Sequence, residues 1–388
     1  MLDKKCLYLS WAIPPSQGGS SYITYELSKH LDSKHFIVVG SKYLFQGSGK
    51  LLKNINSVKV YHLPTEINIL GHGYRYFEWL RNLFYRIILN RLIKIAKKEK
   101  ITDIIVTFPE EYYFKLGCDC AKFCDLTLHL YFHNTYSEQG NPWINNKAIK
   151  IQADAFEMAK NIFTMSDGLN RYYKKQYPEI QEKFVSLPHT FSEYKQIVNV
   201  LSHEPIFKFV FIGTINQSNL DSTKRLFEEL GRMKDVELHI YTPVNKLILI
   251  HKWKLDINKS NFYIHEPVSQ DLVHSELQKY NACILTHGFG GEYSSIEYDT
   301  IFPTRLIPLL ISGRPIFAHT PLNCFVTSFI KDNDCCEMVN TKDLEILKLA
   351  LYSFINDKER QNILVTNALD ASRQFYGPNV VKKLVSYL

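Results

Sequence analysis

The feature that most limits what this chain can become is a rhythm. Short apolar, β-prone runs alternate with stretches of helical spacing, and the pattern occurs twice. In the first half CLYLSWAI (6–13), HFIVVGS (35–41), VKVYHLP (58–64), TDIIVTF (102–108), LTLHLYFHN (126–134) and NIFTMS (161–166) read as strands. SYITYELSKHL (21–31), YYFKLGCDCAKFC (112–124) and a segment near 145–160 read as helices. In the second half FKFVFIGTI, VELHIYT, SNFYIHEPV, NACILTHG and a run at 316–318 read as strands. The helix at 221–232 takes Asp221 or Ser222 as N-cap, and another opens on Ser269. Strands separated by helices predict parallel sheets covered on both faces.

At 388 residues the chain is too long for one ordinary core and suits two domains. The changeover falls in the polar, proline-bracketed segment 188–205, which gives a first domain at 1–190 and a second at 191–370. Two βα domains in tandem leave a cleft, and open α/β sheets bind ligands beyond the carboxyl ends of their strands. The loops after strands are therefore where chemistry is expected.

Composition narrows the class. Residues are 45% hydrophobic and 22% charged, as in a globular protein. No apolar run reaches the ~20 residues of a helical membrane span. The opening residues read as a first buried strand and not as a signal peptide. A net charge of +7 suits acidic small molecules or an anionic membrane surface, and is too small to argue for nucleic acid. Among eight cysteines, Cys118, Cys120 and Cys124 precede His129 and His133, but the C-x-C-x3-C spacing is not that of zinc sites. They read as buried thiols, as do Cys335 and Cys336.

Three loops suit a phosphate. In PPSQGGS the paired Gly18 and Gly19 permit close backbone approach at a helix start. In FPTR a helix starting at Pro303 leaves the amides of Thr304, Arg305 and Leu306 unpaired. Arg305 there opposes the helix dipole unless an anion offsets it. The alternative is an exposed arginine on an ordinary helix. The third loop, Gly213 to Gln217 with Thr214 and Asn216, is rich in hydrogen-bonding groups and carries no cation.

These loops, in this order, resemble a GT-B glycosyltransferase, most of all the retaining glycosyltransferase family 4, in its divergent F-P-[ST]-[KR] subgroup. The similarity is carried by PPSQGGSSYITYELSKHL, HLYFHNTY, MSDGLNRYYKKQY, FVSLPHT, FVFIGTINQSNLDSTKRLFEEL, NACILTHG and FPTRLIPLLISGRPIFAHTP. It implies two Rossmann-like domains facing a cleft, with a C-terminal helix (371–388) packing back on the first. It implies a nucleoside-diphosphate sugar as substrate, with Gly18 and Gly19 facing the diphosphate. Thr304 and nearby amides, including those of Pro303's neighbours Arg305 and Leu306, would grip it from the other side. Tyr241 and Val268 would flank the base, and His133 would sit by the transferred sugar as a catalytic group with Arg305. No cofactor is implied.

The sequence departs from that family. The loop GTINQSNLDS has no cation before Lys224, where the family usually has an Arg and a Lys. The usual E-x7-E pair falls on Thr300 and Pro308, with Glu297 and Asp299 nearby. No metal-binding D-x-D is evident, so helix starts and Arg305 would neutralise the leaving diphosphate. The basic, aromatic segment 72–100 suits a helix on anionic lipid, or alternatively a sheet-covering helix with a solvated basic face. The resulting expectation is a metal-independent cytoplasmic enzyme, possible peripheral membrane contact, and a glycan or lipid-linked acceptor in cell-surface polysaccharide synthesis. A degenerate binding subunit and a nucleotide-sugar epimerase are the alternatives.

Overall fold

A computed structural model describes residues 4–14, 19–43, 55–66, 78–138, 147–197 and 206–388. The chain divides into two compact units. Unit 1 comprises Met1–Ser192 and Gly377–Leu388, and unit 2 comprises Glu193–Tyr376.

Unit 1 contains strands β1 (Cys6–Ser10), β2 (Phe36–Tyr43), β3 (Lys59–Glu66), β4 (Asp103–Phe108), β5 (Thr127–Phe132), β6 (Asn161–Thr164) and β7 (Phe184–Ser186). Its helices are α1 (Gly19–Ser28), α2 (Glu78–Lys98), α3 (Glu111–Cys124), α4 (Ala148–Met158) and α5 (Asp167–Gln176). Unit 2 carries β8 (Phe207–Ile212), β9 (Val236–Tyr241), β10 (Phe262–His265), β11 (Ala282–Thr286), β12 (Ile316–His319) and β13 (Glu337–Val339). Its helices are α6 (Leu220–Leu230), α7 (Gln270–Leu277), α8 (Ser295–Thr300), α9 (Leu306–Leu310), α10 (Phe325–Asn333), α11 (Leu344–Asn356) and α12 (Lys358–Ser372). The last helix, α13 (Gly377–Tyr387), belongs to unit 1.

The described strands form two parallel sheets, in the orders β3-β2-β1-β4-β5-β6-β7 and β10-β9-β8-β11-β12-β13. The expected α/β class, two parallel sheets in a GT-B-like fold, is what the chain adopts. Alternation along β1 shows how the first sheet is covered. Leu7 and Leu9 pack on one face with Val106, Leu130 and Phe114, while Cys6 and Tyr8 pack on the other with Ile23, Val38 and Ile105. Val380, Val381 and Leu384 of α13 join the second of these clusters. In unit 2 the core gathers Phe209, Phe211, Leu238, Ile240, Ile284 and Phe317.

In both sheets the first strand lies between a strand that follows it directly and one that follows after a crossover. The order therefore reverses at β1 and at β8, and the loops leaving those strands open at the reversal. In unit 2 that loop is Gly213 to Asn219, whereas residues 15–18 ahead of α1 lie outside the described residues.

Two local expectations are corrected. The N-cap of α6 is Asn219, not Asp221 or Ser222, because Asn219 closes a turn on Asn216 and its carbonyl takes the Ser222 and Thr223 hydroxyls. The helix expected from Pro303 begins only at Leu306 and is five residues long. The Leu306 amide bonds the Pro303 carbonyl at 2.9 Å and so is not free. β7, only three residues long, was not separately recognised in the sequence.

Candidate functional site

In unit 2 the polar residues collect at the carboxyl ends of the strands. Gly213 leaves β8 with φ +114°, a conformation that excludes most side chains. Its amide bonds the Tyr241 carbonyl at the end of β9. Asn216 then braces the turn: its amide donates to Asn219 Oδ1 and its Oδ1 accepts from the Ser218 amide and hydroxyl. This side chain is therefore occupied in shaping the loop. Thr214 is exposed, and its carbonyl accepts from Asn219 Nδ2 and from Arg305.

Arg305 is the cation of this loop although it comes from another part of the chain. Its Nη2 donates to the Thr214 carbonyl at 2.7 Å, and its guanidinium lies 5.3 Å from the Phe211 ring centroid. Nη1 is shielded from solvent and has no acceptor among the described residues. Burial pushes the Arg305 pKa down to about 10, so the group stays charged near neutrality. A fixed charge with an unused donor, beside an exposed loop at the sheet's reversal point, suits an anion. Pro303 and Thr304 are half-buried and Leu306 is buried next to it.

The neighbouring loops are knitted to this one. The Gly288 amide bonds the Ser218 carbonyl, and the Tyr298 hydroxyl bonds the Gln217 carbonyl. His287 donates from Nε2 to the Tyr298 carbonyl at 2.7 Å, and burial, with the charge of Arg305 adding to it, pushes its pKa down to about 4. Asp221 accepts the Phe289 amide and pairs with Arg225 at 3.0 Å. Arg225 also donates to His319 Nε2, whose Nδ1 donates to the Val339 carbonyl. Arg225, His287 and His319 do not stand out in the sequence, and Asp221 does so only as a candidate helix cap. Their only signal was a polar residue directly after, or facing, the end of an apolar strand.

Tyr241 and Val268 both follow or end strands in unit 2, β9 and β10 respectively. The Tyr241 hydroxyl contacts Glu276 at 2.5 Å and Tyr280 at 2.6 Å, and its ring stacks on His265 at 4.5 Å. Val268 is half-buried. Glu297 is buried in α8, whereas Asp299 is exposed, its carboxyl raised by partial burial.

In unit 1 Gly19 is the first residue of α1, and Gly18 lies outside the described residues. His133 follows β5 and is buried. Ser20 Oγ, in the first turn of α1, lies 3.0 Å from its Nδ1, and Nε2 has no partner among the described residues. Burial, helped by nearby His189, pushes the His133 pKa down to about 3. The ring is thus a neutral hydrogen-bonding group near neutral pH and not a resident cation.

Among the described residues no group of three His, Cys, Asp or Glu is placed to hold a metal ion. The one D-x-D triplet, Asp332 to Asp334, ends α10, and Asp334 pairs with Arg360 at 2.6 Å. The described cysteines are free thiols, with Cys120, Cys335 and Cys336 buried.

No protein-family model matches the chain, and no curated protein sequence matches it. Solved structures do. Anabaena HepE in complex with UDP and glucose is 12% identical, with a TM-score of 0.67 over 99% of this chain and 98% of that one. A glycosyltransferase from Rickettsia africae is 12% identical, with a TM-score of 0.68 over 100% of this chain and 98% of that one. A putative UDP-N-acetylglucosamine 2-epimerase from Listeria monocytogenes is 10% identical, with a TM-score of 0.59 over 100% of this chain and 96% of that one. At these identities the likeness establishes the fold.

Proposed function

We propose that this chain is a glycosyltransferase that moves a sugar from a nucleoside-diphosphate sugar to a glycan or lipid-linked glycan acceptor, in cell-surface polysaccharide synthesis. The observation that carries the reading is Arg305. It brings a charged, partly unpaired guanidinium to the loop after β8, where the sequence lacks the family's usual cations. The fold it shares with Anabaena HepE, whose solved complex holds UDP and glucose, supports the same assignment.

In this mechanism the donor diphosphate lies against the 213–216 loop and Arg305. Nη1 and the loop amides stabilise the charge that grows on the leaving group as the glycosidic bond breaks. This set of donors needs no metal. His133, neutral at working pH, orients the sugar through Nε2 and lends its ring dipole to the developing positive centre. Gly19, the first residue of α1, allows backbone approach, and Tyr241 and Val268 border the base. Transfer with retention, the donor phosphate taking the acceptor proton, follows from the resemblance to family 4.

A thermal-shift screen against UDP-, GDP- and other nucleotide-sugars tests the donor class. A ligand at a hundredfold excess over its Kd adds about 2.7 kcal/mol of stability. A chain that is stabilised by none of them is not a nucleotide-sugar enzyme. His133→Ala with full turnover would remove that residue from the mechanism.

The acceptor class draws on α2. Trp79, Leu83 and Ile87 recur every fourth residue and are 66%, 68% and 61% exposed, and Arg86, Arg91 and Lys94 are exposed on the same helix. Apolar side chains next to basic ones suit the surface of an anionic bilayer. No helix among the described residues is long and apolar enough to cross a membrane. Co-sedimentation with phosphatidylglycerol vesicles, lost in an Ile87→Glu Leu83→Glu double variant, is the expected result.

Epimerisation is the second reading, favoured by the Listeria structure. It is tested by incubating nucleotide-sugar without acceptor and looking for an inverted sugar.

A further inference from the structure

The first turn of α1 meets two imidazoles. Ser20 Oγ sits 3.0 Å from Nδ1 of His133, and Tyr22 stands edge-on to His189 with 6.3 Å between ring centroids. Tyr131 packs edge-on to His133 at 4.5 Å, and its hydroxyl donates to the Leu187 carbonyl at 2.9 Å. That bond anchors to β5 the segment bearing His189 and Thr190. The two histidines are close enough for the charge of one to depress the other.

This neighbourhood is buried and short of partners. His189 is 1% exposed, and Ser21 and Thr190 are fully buried. Neither ring nitrogen of His189, nor Ser21 Oγ, Thr190 Oγ1 or His133 Nε2, has a hydrogen-bond partner among the described residues. Buried polar atoms in native proteins are normally paired, and an unpaired one is costly. Five such atoms, spread over α1, the residue after β5 and the 189–190 segment, call for a partner that the described residues do not supply.

Chemistry selects the partner. A neutral imidazole presents one donor and one acceptor, and a serine or threonine hydroxyl presents both. A phosphate or carboxylate only accepts, and would leave the acceptor nitrogens unmatched. Burial keeps both rings neutral, with pKa values of about 3, so they offer an anion no charge. Vicinal hydroxyls match the set, since each both donates and accepts.

We propose that His189, with Ser21 and Thr190, forms a sugar-hydroxyl subsite in unit 1 beside His133. This rests on the reading of the chain as a nucleotide-sugar enzyme. It adds a binding residue which that reading does not use. The hydroxyls belong either to the donor's sugar or to the acceptor's.

The test compares wild type, His189→Leu and His189→Asn in two arms. In the donor arm, calorimetry with UDP and UDP-glucose, and with GDP and GDP-mannose, gives the affinity gained from the sugar. In the acceptor arm, ligand-observed NMR measures binding of methyl glucoside, methyl galactoside and methyl N-acetylglucosaminide in the presence of the nucleotide. His189→Leu is expected to cut the sugar-dependent gain at least tenfold in one arm. Affinity for the nucleotide alone stays within twofold, and His189→Asn restores part of the loss. The arm that responds identifies whose hydroxyls are read. Ligand-free His189→Leu is expected to unfold no lower than wild type, because it removes two unpaired buried nitrogens.

A wild type that binds nucleotide but gains nothing from sugar in either arm overturns the subsite and leaves the donor assignment standing. So does a His189→Leu protein that keeps its sugar-dependent gain. Lower unfolding temperatures in both variants, with sugar binding intact, assign the ring a structural role instead. A wild type that binds none of the nucleotides overturns both readings.

Discussion

Asn161 Nδ2 donates to Nδ1 of His129 at 3.1 Å, and this one bond fixes the tautomer of a buried imidazole. With Nδ1 accepting, Nε2 carries the hydrogen and faces Asp103 Oδ1 at 3.3 Å. Burial works against the Asp103 carboxylate, but hydrogen bonds from His129 and Thr102 hold its pKa below the ordinary range. The same Asn161 amide donates to the Tyr387 carbonyl at 2.8 Å, so β4, β5, β6 and α13 share one polar chain. Asn161→Leu strands an acceptor on His129 and another on Tyr387. It is expected to lower the stability of unit 1 by about 1–3 kcal/mol. Urea denaturation followed by near-UV dichroism measures the loss.

Arg305→Ala removes the cation facing the 213–216 loop. A charge-assisted hydrogen bond is worth roughly 1.5–3 kcal/mol, so affinity for the donor nucleotide should fall by about 10- to 100-fold. Arg305→Lys keeps the charge and loses the fork that serves Thr214 and the ligand together, so it should recover only part of the affinity. Calorimetry with the nucleotide found in the thermal-shift screen decides. An Arg305→Ala protein with unchanged affinity would dismiss the site.

Gly213→Ala tests the same loop through its backbone. At φ +114° an alanine is strained by about 1–3 kcal/mol. The nearest side-chain atoms to a new methyl are those of the Arg305 guanidinium, at 3.8 Å and beyond, so crowding adds little. Relief of the strain turns the Thr214 carbonyl away from Arg305. The expected result is a lower unfolding temperature for unit 2 together with weaker nucleotide binding.

Acid sensitivity should come from buried neutral histidines. Burial holds His133 and His189 at about 3, and His287 and His319 at about 4. An unfolded histidine titrates near 6.5. Below that pH the unfolded chain binds protons that the native chain refuses, so stability is complete above about pH 6.5 and declines toward pH 4. Unfolding temperatures from pH 7.5 to 4.5 should trace this fall. His189→Leu should flatten the curve, since it deletes one of the groups responsible.

The sheets are legible because their strands carry unbroken apolar stretches, such as Ile104–Val106 within DIIVTF, that two-sided burial explains. Short or interrupted elements are not. Phe184–Ser186 is too brief to show a period, and the helix expected from Pro303 starts three residues later, at Leu306. There the local reading saw a proline suited to a helix start, but the Leu306 amide closes on the Pro303 carbonyl first. The sequence marked Thr214 and Arg305 in separate loops, and the fold joins them by a hydrogen bond. Arg225, His189, His287 and His319 are hidden, and Asp221 shows only as a cap candidate, because no spacing links them. They meet only through the crossovers that bring distant strand ends together.

Helix α13 has a consequence for biosynthesis. Its Val380, Val381 and Leu384 complete the cluster around Tyr8, yet the ribosome reaches them only after making all of Glu193–Tyr376. At about 5–20 residues per second, that insertion keeps the nascent first sheet waiting roughly 10–40 s with one greasy flank uncovered. During that interval a chaperone, or a neighbouring nascent chain, has a docking place that the finished molecule no longer offers.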